Sequence, residues 1–240
     1  MPLARRRLVG VTTLSAFVLF TVLTSAAAAV TLAVAFKKGE ARRYRSEMKG
    51  TVMGAEFTVT STEKHLIEDV KENGEAVITI SEEETKLTVM GMDQQTPATP
   101  PITLTVDRTN RLTNIKELPP VTVFSEPVLR TMYALSRPLL PKQEVADGAT
   151  WETQVDHPAM PGQKIKIMGA FDGTDKVGDK EYRKVRQSAG VELPGGACRF
   201  EDTFWLDPAT GHIFRSEGTV KDLPTNFGAM SWSAKIELLP

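Results

Sequence analysis

Residues 124–139 read FSEPVLRTMYALSRPL and carry the one good helical pattern downstream of the first thirty residues. Apolar side chains recur in this stretch at helical spacing: Phe124, Val128, Met132 and Leu135. Ser125 suits an N-cap position, and Pro127 falls in the first turn, where its missing N–H costs nothing. Because Pro138 closes the pattern, the stretch predicts a helix over about 124–139 whose apolar stripe covers one side of a sheet.

Strand patterns flank this helix on both sides. Before it, Asn73-Gly74 is a hairpin signal between apolar runs at 65–70 and 76–80. After it, residues 164–171 alternate apolar and polar side chains. The connections between such segments are too short for parallel crossovers, so the strands are predicted to pair antiparallel.

Two shorter stretches complete the strand assignment. Leu32–Phe36 alternates large apolar residues with alanines, which predicts the first strand of the domain. The acidic run Glu82–Glu84 predicts a solvated turn.

The pattern as a whole predicts a mainly β fold of the α+β class. Ten to twelve strands in one antiparallel sheet curl or close. We therefore expect a large curled antiparallel sheet or half-open barrel packed on one central helix, and a two-sheet sandwich is the alternative. Residues 1–29 are predicted to be a signal peptide and residues 30–240 a single β-rich domain, with strand-rich halves at about 30–118 and 147–240.

The N-terminus has the organisation of an export signal. Arg5–Arg7 form a basic region, and an uncharged apolar run follows from Leu8. Ala27 and Ala29 fit an A-x-A cleavage site, which places the mature N-terminus near Val30. The predicted location is periplasmic or extracellular. The alternative is an uncleaved membrane anchor formed by residues 8–30, and membrane contact is expected only through that segment.

Composition narrows the classes of partner. The chain has 29 basic and 30 acidic residues, and removal of Arg5–Arg7 leaves a formal charge of −4. This balance argues against a nucleic-acid partner. Cys198 is the only cysteine, so the domain must be held together by its core rather than by an internal disulfide.

No residue pattern indicates catalysis or metal binding. His65, His157 and His212 are far apart and none has a second ligand at close spacing, so each is expected to be a surface or turn histidine. No nucleophile elbow is present. We therefore expect no metal, no cofactor and no enzyme activity. Two histidines brought together with a carboxylate by the fold would favour an enzyme instead.

Four residues are candidates for an apolar ligand site. Met132 and Leu135 lie on the apolar stripe of the predicted helix, and Trp151 and Trp205 lie in or beside strands. Trp205 is predicted to point to the face opposite Phe204, because side chains alternate along a strand. Methionine and aromatic side chains line adaptable apolar pockets, although they also fill cores.

The layout resembles a group of exported bacterial proteins of uncharacterised function. Those proteins open with an apolar strand, a K-x-G-type turn and an R-Y strand, as in Leu32–Phe36, Lys37–Glu40 and Arg43-Tyr44. They later carry a proline-rich helix exit and a Gly-x-x-Trp element, as in Leu139–Pro141 and Gly148–Trp151.

More distantly, a curled sheet over a helix looks like the half-barrel of LolA/LolB-like lipoprotein carriers, which shelter acyl chains in an apolar cavity. That likeness concerns the fold alone. The β-plus-helix layout, the methionine content and the export signal together predict an exported envelope protein that binds a lipid or other apolar molecule between sheet and helix. The alternative is a structural or protein-interaction module whose partner is another envelope protein.

Overall fold

The computed structural model describes residues 29–96, 99–116, 118 and 123–240. The single helix found there, α1, spans Glu126–Leu135. The strands are β1 (Ala41–Val52), β2 (Ala55–Val70), β3 (Ala76–Val89), β4 (Met92–Gln94), β5 (Ile102–Val106), β6 (Leu112–Lys116), β7 (Thr150–Asp156), β8 (Lys164–Val177), β9 (Lys180–Leu193), β10 (Gly196–Leu206), β11 (Ile213–Thr225) and β12 (Gly228–Leu238).

All twelve strands belong to one antiparallel sheet, in the order β6-β5-β3-β2-β1-β12-β11-β10-β9-β8-β7, with β4 paired to β3. Two meanders, β1–β6 and β7–β12, therefore meet where β1 pairs with β12. Strands β6 and β7 are the two edges, and no pairing within the described residues closes the sheet. The predicted curled antiparallel sheet packed on one helix is confirmed, and the two-sheet alternative is wrong.

The position of α1 follows from this strand order. Since β6 and β7 lie at opposite edges, the connection between them has to cross the whole sheet, and α1 lies in that connection. Val128 and Leu135 enter a core cluster with Ile167, Phe200 and Trp232 from the sheet. One face of α1 is thereby buried against the concave face of the sheet.

The helix is shorter than the sequence predicts at its C-terminal end. Ser125 takes the predicted N-cap position, with extended backbone angles, and Pro127 lies in the first turn. At the other end α1 stops at Leu135 rather than near residue 139. The reason is Pro138, which disfavours helical angles in Arg137, so the chain leaves the helix before it.

Residues 32–36 are not a strand, contrary to the prediction. Leu32 and Val34 are buried, as their alternation predicts, in a cluster with Trp151 and Phe204. The backbone of this segment forms hydrogen bonds with loops rather than with a strand. For example, the N–H of Val34 donates to the carbonyl of Arg108 at 2.9 Å. Alternation of apolar and small residues shows that every second side chain is buried. An extended segment that packs against loops gives the same pattern as a strand paired in a sheet.

Glu82–Glu84 also differ from the prediction. All three are exposed, as expected, but they lie inside β3 rather than in a turn. The structure describes no residue before Ala29, so residues 1–28 of the predicted signal peptide, including Ala27, lie outside the described residues, whereas Ala29 is described and exposed. Within those residues, no helix has the length and apolar character needed to cross a membrane.

Candidate ligand-binding cavity

A cavity of about 400 Å³ lies between the C-terminal part of α1 and the concave face of the sheet. Strands β1, β2, β3, β5, β11 and β12 contribute residues to its floor. Much of its surface is apolar, contributed by Val34, Met48, Ile80, Pro100, Ile102, Leu104, Leu129, Met132, Ile213, Ala234 and Ile236. This volume falls within the range of small-molecule sites, about 300–1,000 Å³.

The structure separates the two helix residues proposed for a ligand site. Met132 lines the cavity. Leu135 is fully buried and packs in the core cluster beneath α1 instead. One turn of the helix thus points Met132 into the cavity and Leu135 into the core.

Neither tryptophan reaches this cavity. Trp151 is buried against Gly169, and its indole N–H donates to the carbonyl of Leu139 at 3.0 Å. Trp205 points to the opposite face of the sheet, where its indole N–H donates to Asp175 at 3.0 Å. There the cationic groups of Lys184 and Arg215 lie over its ring, 5.5 and 5.0 Å from the centroid. Both rings therefore have structural contacts of their own.

One wall of the cavity is polar. The ring of Tyr44 lies 4.7 Å from that of His65, and His65 Nε2 donates to Glu63 Oε2 at 3.1 Å. Burial lowers the pKa of His65 and raises that of Tyr44, so both are uncharged at neutral pH. The Glu63 carboxylate therefore already has a hydrogen-bond donor.

Two further groups extend this wall. Burial raises the pKa of Tyr133 to about 12, helped by the negative charges of Glu63 and Glu82. His212 donates its Nε2 hydrogen to the carbonyl of Ala35 at 2.9 Å, and burial lowers its pKa to about 4. The hydroxyl and both imidazoles are neutral hydrogen-bonding groups at pH 7.

Arg137 supplies the only lysine or arginine side chain among the described residues that line the cavity. Gln187 on β9 fixes the backbone around it, because its Nε2 donates to the carbonyls of Leu135 and Arg137 at 3.1 and 3.2 Å. Burial lowers the pKa of Arg137, opposed by its attraction to Tyr44 and Glu63. No ion pair or side-chain hydrogen bond of this guanidinium occurs within the described part of the chain.

The fold brings together residues that the sequence gives no reason to group. Tyr44, Glu63 and His65 share the concave face because β1 and β2 pair in register, with Tyr44 opposite Glu63. Arg137 joins them from the helix exit, more than seventy residues later in the chain. A basic residue near a helix end is ordinary, so nothing in the local sequence marks Arg137.

A second, shallower depression of about 970 Å³ lies on the other face of the sheet. One row of paired residues crosses it: Lys49, Ser233, Thr219, Glu201, Ser188 and Met168. Several of its charged groups pair with one another, as Arg199 does with Glu201 and Lys49 with Glu47. We interpret this surface as the solvated outer face of the sheet.

The remaining candidate chemistry is sparse. Among the described residues, no group of three or more His, Cys, Asp or Glu side chains could hold a metal ion. Cys198 is buried, and burial raises the pKa of its thiol to about 11. Such a thiol behaves as a small apolar side chain rather than as a nucleophile.

Comparison with models of known protein families and with curated proteins finds no match. Among solved structures, the chain is similar to the hypothetical lipoprotein YmcC from Escherichia coli K12. The two are 12% identical, and the similarity covers 81% of this chain and 86% of YmcC at a TM-score of 0.27. A likeness of this degree carries no information about what this chain binds.

Proposed function

We propose that the chain is exported to the bacterial envelope and binds an apolar or amphipathic molecule, such as a lipid, between the sheet and α1. The observation that carries this proposal is the cavity of about 400 Å³ behind the helix. The cavity is open to solvent beside Glu82. The described side chains leave room in it for on the order of ten waters, which a ligand of comparable volume can replace.

The proposal that the chain is exported is supported by the backbone contacts of Val30 with the folded domain. Val30, the predicted first residue after cleavage, exchanges backbone hydrogen bonds with Val145 at 2.8 and 3.0 Å. An anchor formed by residues 8–30 would leave no linker before this bridge. Intact-mass measurement on protein from its own host tests the point: a chain starting near Val30 supports cleavage, and retention of residues 1–29 in the membrane fraction supports the anchor.

The binding half is tested by filling the cavity. Ala234 lines it from β12, while the neighbouring Ser233 is exposed on the other face. We expect Ala234→Phe to abolish dodecanol binding and Ser233→Phe to leave it unchanged, with both variants folded by circular dichroism. Equal binding by Ala234→Phe and the unmodified protein would place the ligand elsewhere.

We propose binding rather than catalysis, although His65 and His212 line the same cavity as Glu63. Each histidine uses its Nε2 hydrogen in a hydrogen bond within the protein, to Glu63 and to the carbonyl of Ala35. A lipid ester incubated with the protein should be recovered intact. Hydrolysis that depends on His65 would establish an enzyme instead.

A protein-interaction module is the second candidate, favoured by exposed apolar side chains at turns on one end of the sheet. Met53, Met90 and Phe227 are 79, 70 and 53% exposed. They occupy the β1–β2, β3–β4 and β11–β12 turns, which lie side by side because β3, β2, β1, β12 and β11 are neighbours. A protein that carries no ligand but crosslinks to an envelope protein through these turns would favour this candidate.

A further inference from the structure

Among the described residues that line the cavity, one lysine or arginine side chain is present, and it has no ion-pair partner within that part of the chain. Arg42, close to the same wall, forms an ion pair with Glu40 at 2.5 Å. Arg137 has no such partner within 4 Å among the described residues, although it lines the cavity. Arg42 therefore has an acidic partner in contact, whereas Arg137 has none among the described residues.

Arg137 is partly buried, and a partly desolvated guanidinium gains free energy when an anion compensates its charge. Its planar fork presents five N–H donors, which match the oxygens of a carboxylate or a phosphate. Among the described carboxylates, that of Glu63 attracts Arg137 electrostatically, but its hydrogen bond comes from His65. The donors of Arg137 therefore remain available to a ligand.

The rest of the cavity favours an apolar body attached to that anion. Leu129 and Met132 line it from α1, and Ile102, Leu104 and Ile236 line it from the sheet. These side chains offer no hydrogen bonds, and they gain free energy when an apolar chain replaces water against them.

We propose that the cavity binds an amphipathic anion, with a carboxylate or phosphate head held by Arg137 and an apolar tail between α1 and the sheet. This inference rests on the proposed function and adds the chemistry of the ligand. Tyr44 and Tyr133 lie beside the head as neutral hydroxyl donors. The shared chemistry is the anionic head, whether it belongs to a fatty acid or to a phosphorylated lipid.

A cationic ligand fits this cavity less well. Glu63 is already hydrogen-bonded by His65, and Glu82 is exposed to water, so neither carboxylate is desolvated and unpaired. Arg137 would also repel a cation at close range.

The test compares ligands that share a tail and differ in the head. Dodecanoate and dodecyl phosphate are titrated by calorimetry below their micelle concentrations and dodecanol below its solubility limit, with acetate and inorganic phosphate as tail-free controls. The variants are Arg137→Gln, Arg137→Lys and Glu63→Gln. Arg130→Gln is the matched control, since Arg130 lies on the outside of α1 paired with Glu126.

We expect the unmodified protein to bind both anionic ligands at least tenfold more tightly than dodecanol. Arg137→Gln should weaken anion binding about ten- to a hundredfold, as loss of a charged hydrogen bond does. Dodecanol binding should stay within twofold, and Arg130→Gln should match the unmodified protein. Arg137→Lys should retain part of the preference, and Glu63→Gln should increase it, which provides a test even if Arg137→Gln fails to fold.

The outcomes separate this inference from the proposed function. Equal binding of all three ligands, unchanged by Arg137→Gln, would overturn the anionic head and leave the binding function standing. Absence of binding by any of the three would remove both. Inorganic phosphate binding as tightly as dodecyl phosphate would overturn the amphipathic ligand, because the tail would then contribute nothing.

Discussion

Gln187 and Leu139 are joined by a buried hydrogen bond in which the backbone N–H of Leu139 donates to Gln187 Oε1 at 2.8 Å. The same amide uses its Nε2 to donate to the carbonyls of Leu135 and Arg137. One side chain of β9 therefore holds the chain where it leaves α1. Because Arg137 lies inside this held segment, the position of its guanidinium in the cavity depends on Gln187.

Replacing Gln187 by leucine should destabilise the protein strongly. The change leaves the Leu139 N–H and the Leu135 carbonyl without partners in a buried place, and each such group costs about 1–3 kcal/mol. We expect urea unfolding to show a loss of about 3 kcal/mol. Gln154→Leu on the exposed face of β7 is the control and should change stability by less than about 0.5 kcal/mol. Similar losses in both variants would refute the role of Gln187.

Gly169 on β8 should not tolerate alanine. A Cβ there would lie 2.2 Å from Cε2 of Trp151, whose indole is also hydrogen-bonded to Leu139. We expect Gly169→Ala to cost about 1–3 kcal/mol, as overpacking does. Gly190→Ala on β9 meets no atom within 4 Å and should be neutral or slightly stabilising. Thermal unfolding of the two variants checks this, and equal effects would contradict the packing.

Asp202 should make the protein less stable as the pH rises. It shares the concave face with Phe204 and lies over Gly218, and no hydrogen bond or ion pair of its side chain occurs within the described residues. Burial raises its pKa to about 7, whereas the unfolded chain ionises near 3.8. The unfolded state therefore binds fewer protons between these values, and stability falls by up to about 4 kcal/mol from pH 4 to pH 7.

Asp202→Asn removes the free-energy cost of ionising a buried carboxyl group. Its stability gain should be near zero at pH 4 and should grow to about 4 kcal/mol or less at pH 8, as measured by urea unfolding across that range. A gain that does not vary with pH would show that Asp202 titrates normally.

His212 should make the protein more stable as the pH rises, which is the opposite of the effect of Asp202. Its pKa is lowered to about 4 from 6.5, so the unfolded state binds more protons between those values. The stability that it contributes is complete above pH 6.5 and is lost as the pH falls towards 4, by about 3 kcal/mol. The Asp202→Asn variant isolates this effect. An NMR titration that places the His212 pKa near 6.5 would contradict it.

The β1–β2 turn should be stabilised by asparagine. Met53 and Gly54 form a two-residue turn with φ of 51° and 80°, and methionine is unfavourable at a positive φ. Asn-Gly is the preferred pair in such turns. We expect Met53→Asn to raise stability by about 0.5–1 kcal/mol in thermal unfolding. A destabilised variant would mean that the exposed methionine makes contacts that the turn geometry does not reveal.

The architecture is largely predictable from the sequence, and the site is not. The curled sheet and the helix follow from periodicity and turn residues, such as the helical spacing from Phe124 to Leu135 and the Asn73-Gly74 signal. Local pattern does not fix which strands become neighbours. Tyr44, His65 and Arg137 meet only because β1 pairs with β2 and because the helix crosses the sheet.

The four proposed ligand residues illustrate the same limit. A large apolar side chain serves equally well in a core and in a pocket, so only the three-dimensional structure separates Met132, which lines the cavity, from Leu135 and Trp151. Trp205 lies on the face opposite Phe204, as strand alternation predicts. At residues 32–36 the same alternation of side chains predicts a strand, but the segment packs between loops and is not part of the sheet.

The central claim is that the cavity behind α1 holds a ligand, and native mass spectrometry of the protein purified from its own host tests it most directly. We predict a reproducible added mass that organic extraction releases as an amphipathic lipid and that is absent from Ala234→Phe. A bare protein mass, with no thermal shift on addition of fatty acids or phospholipids, would contradict the claim and favour the protein-interaction module.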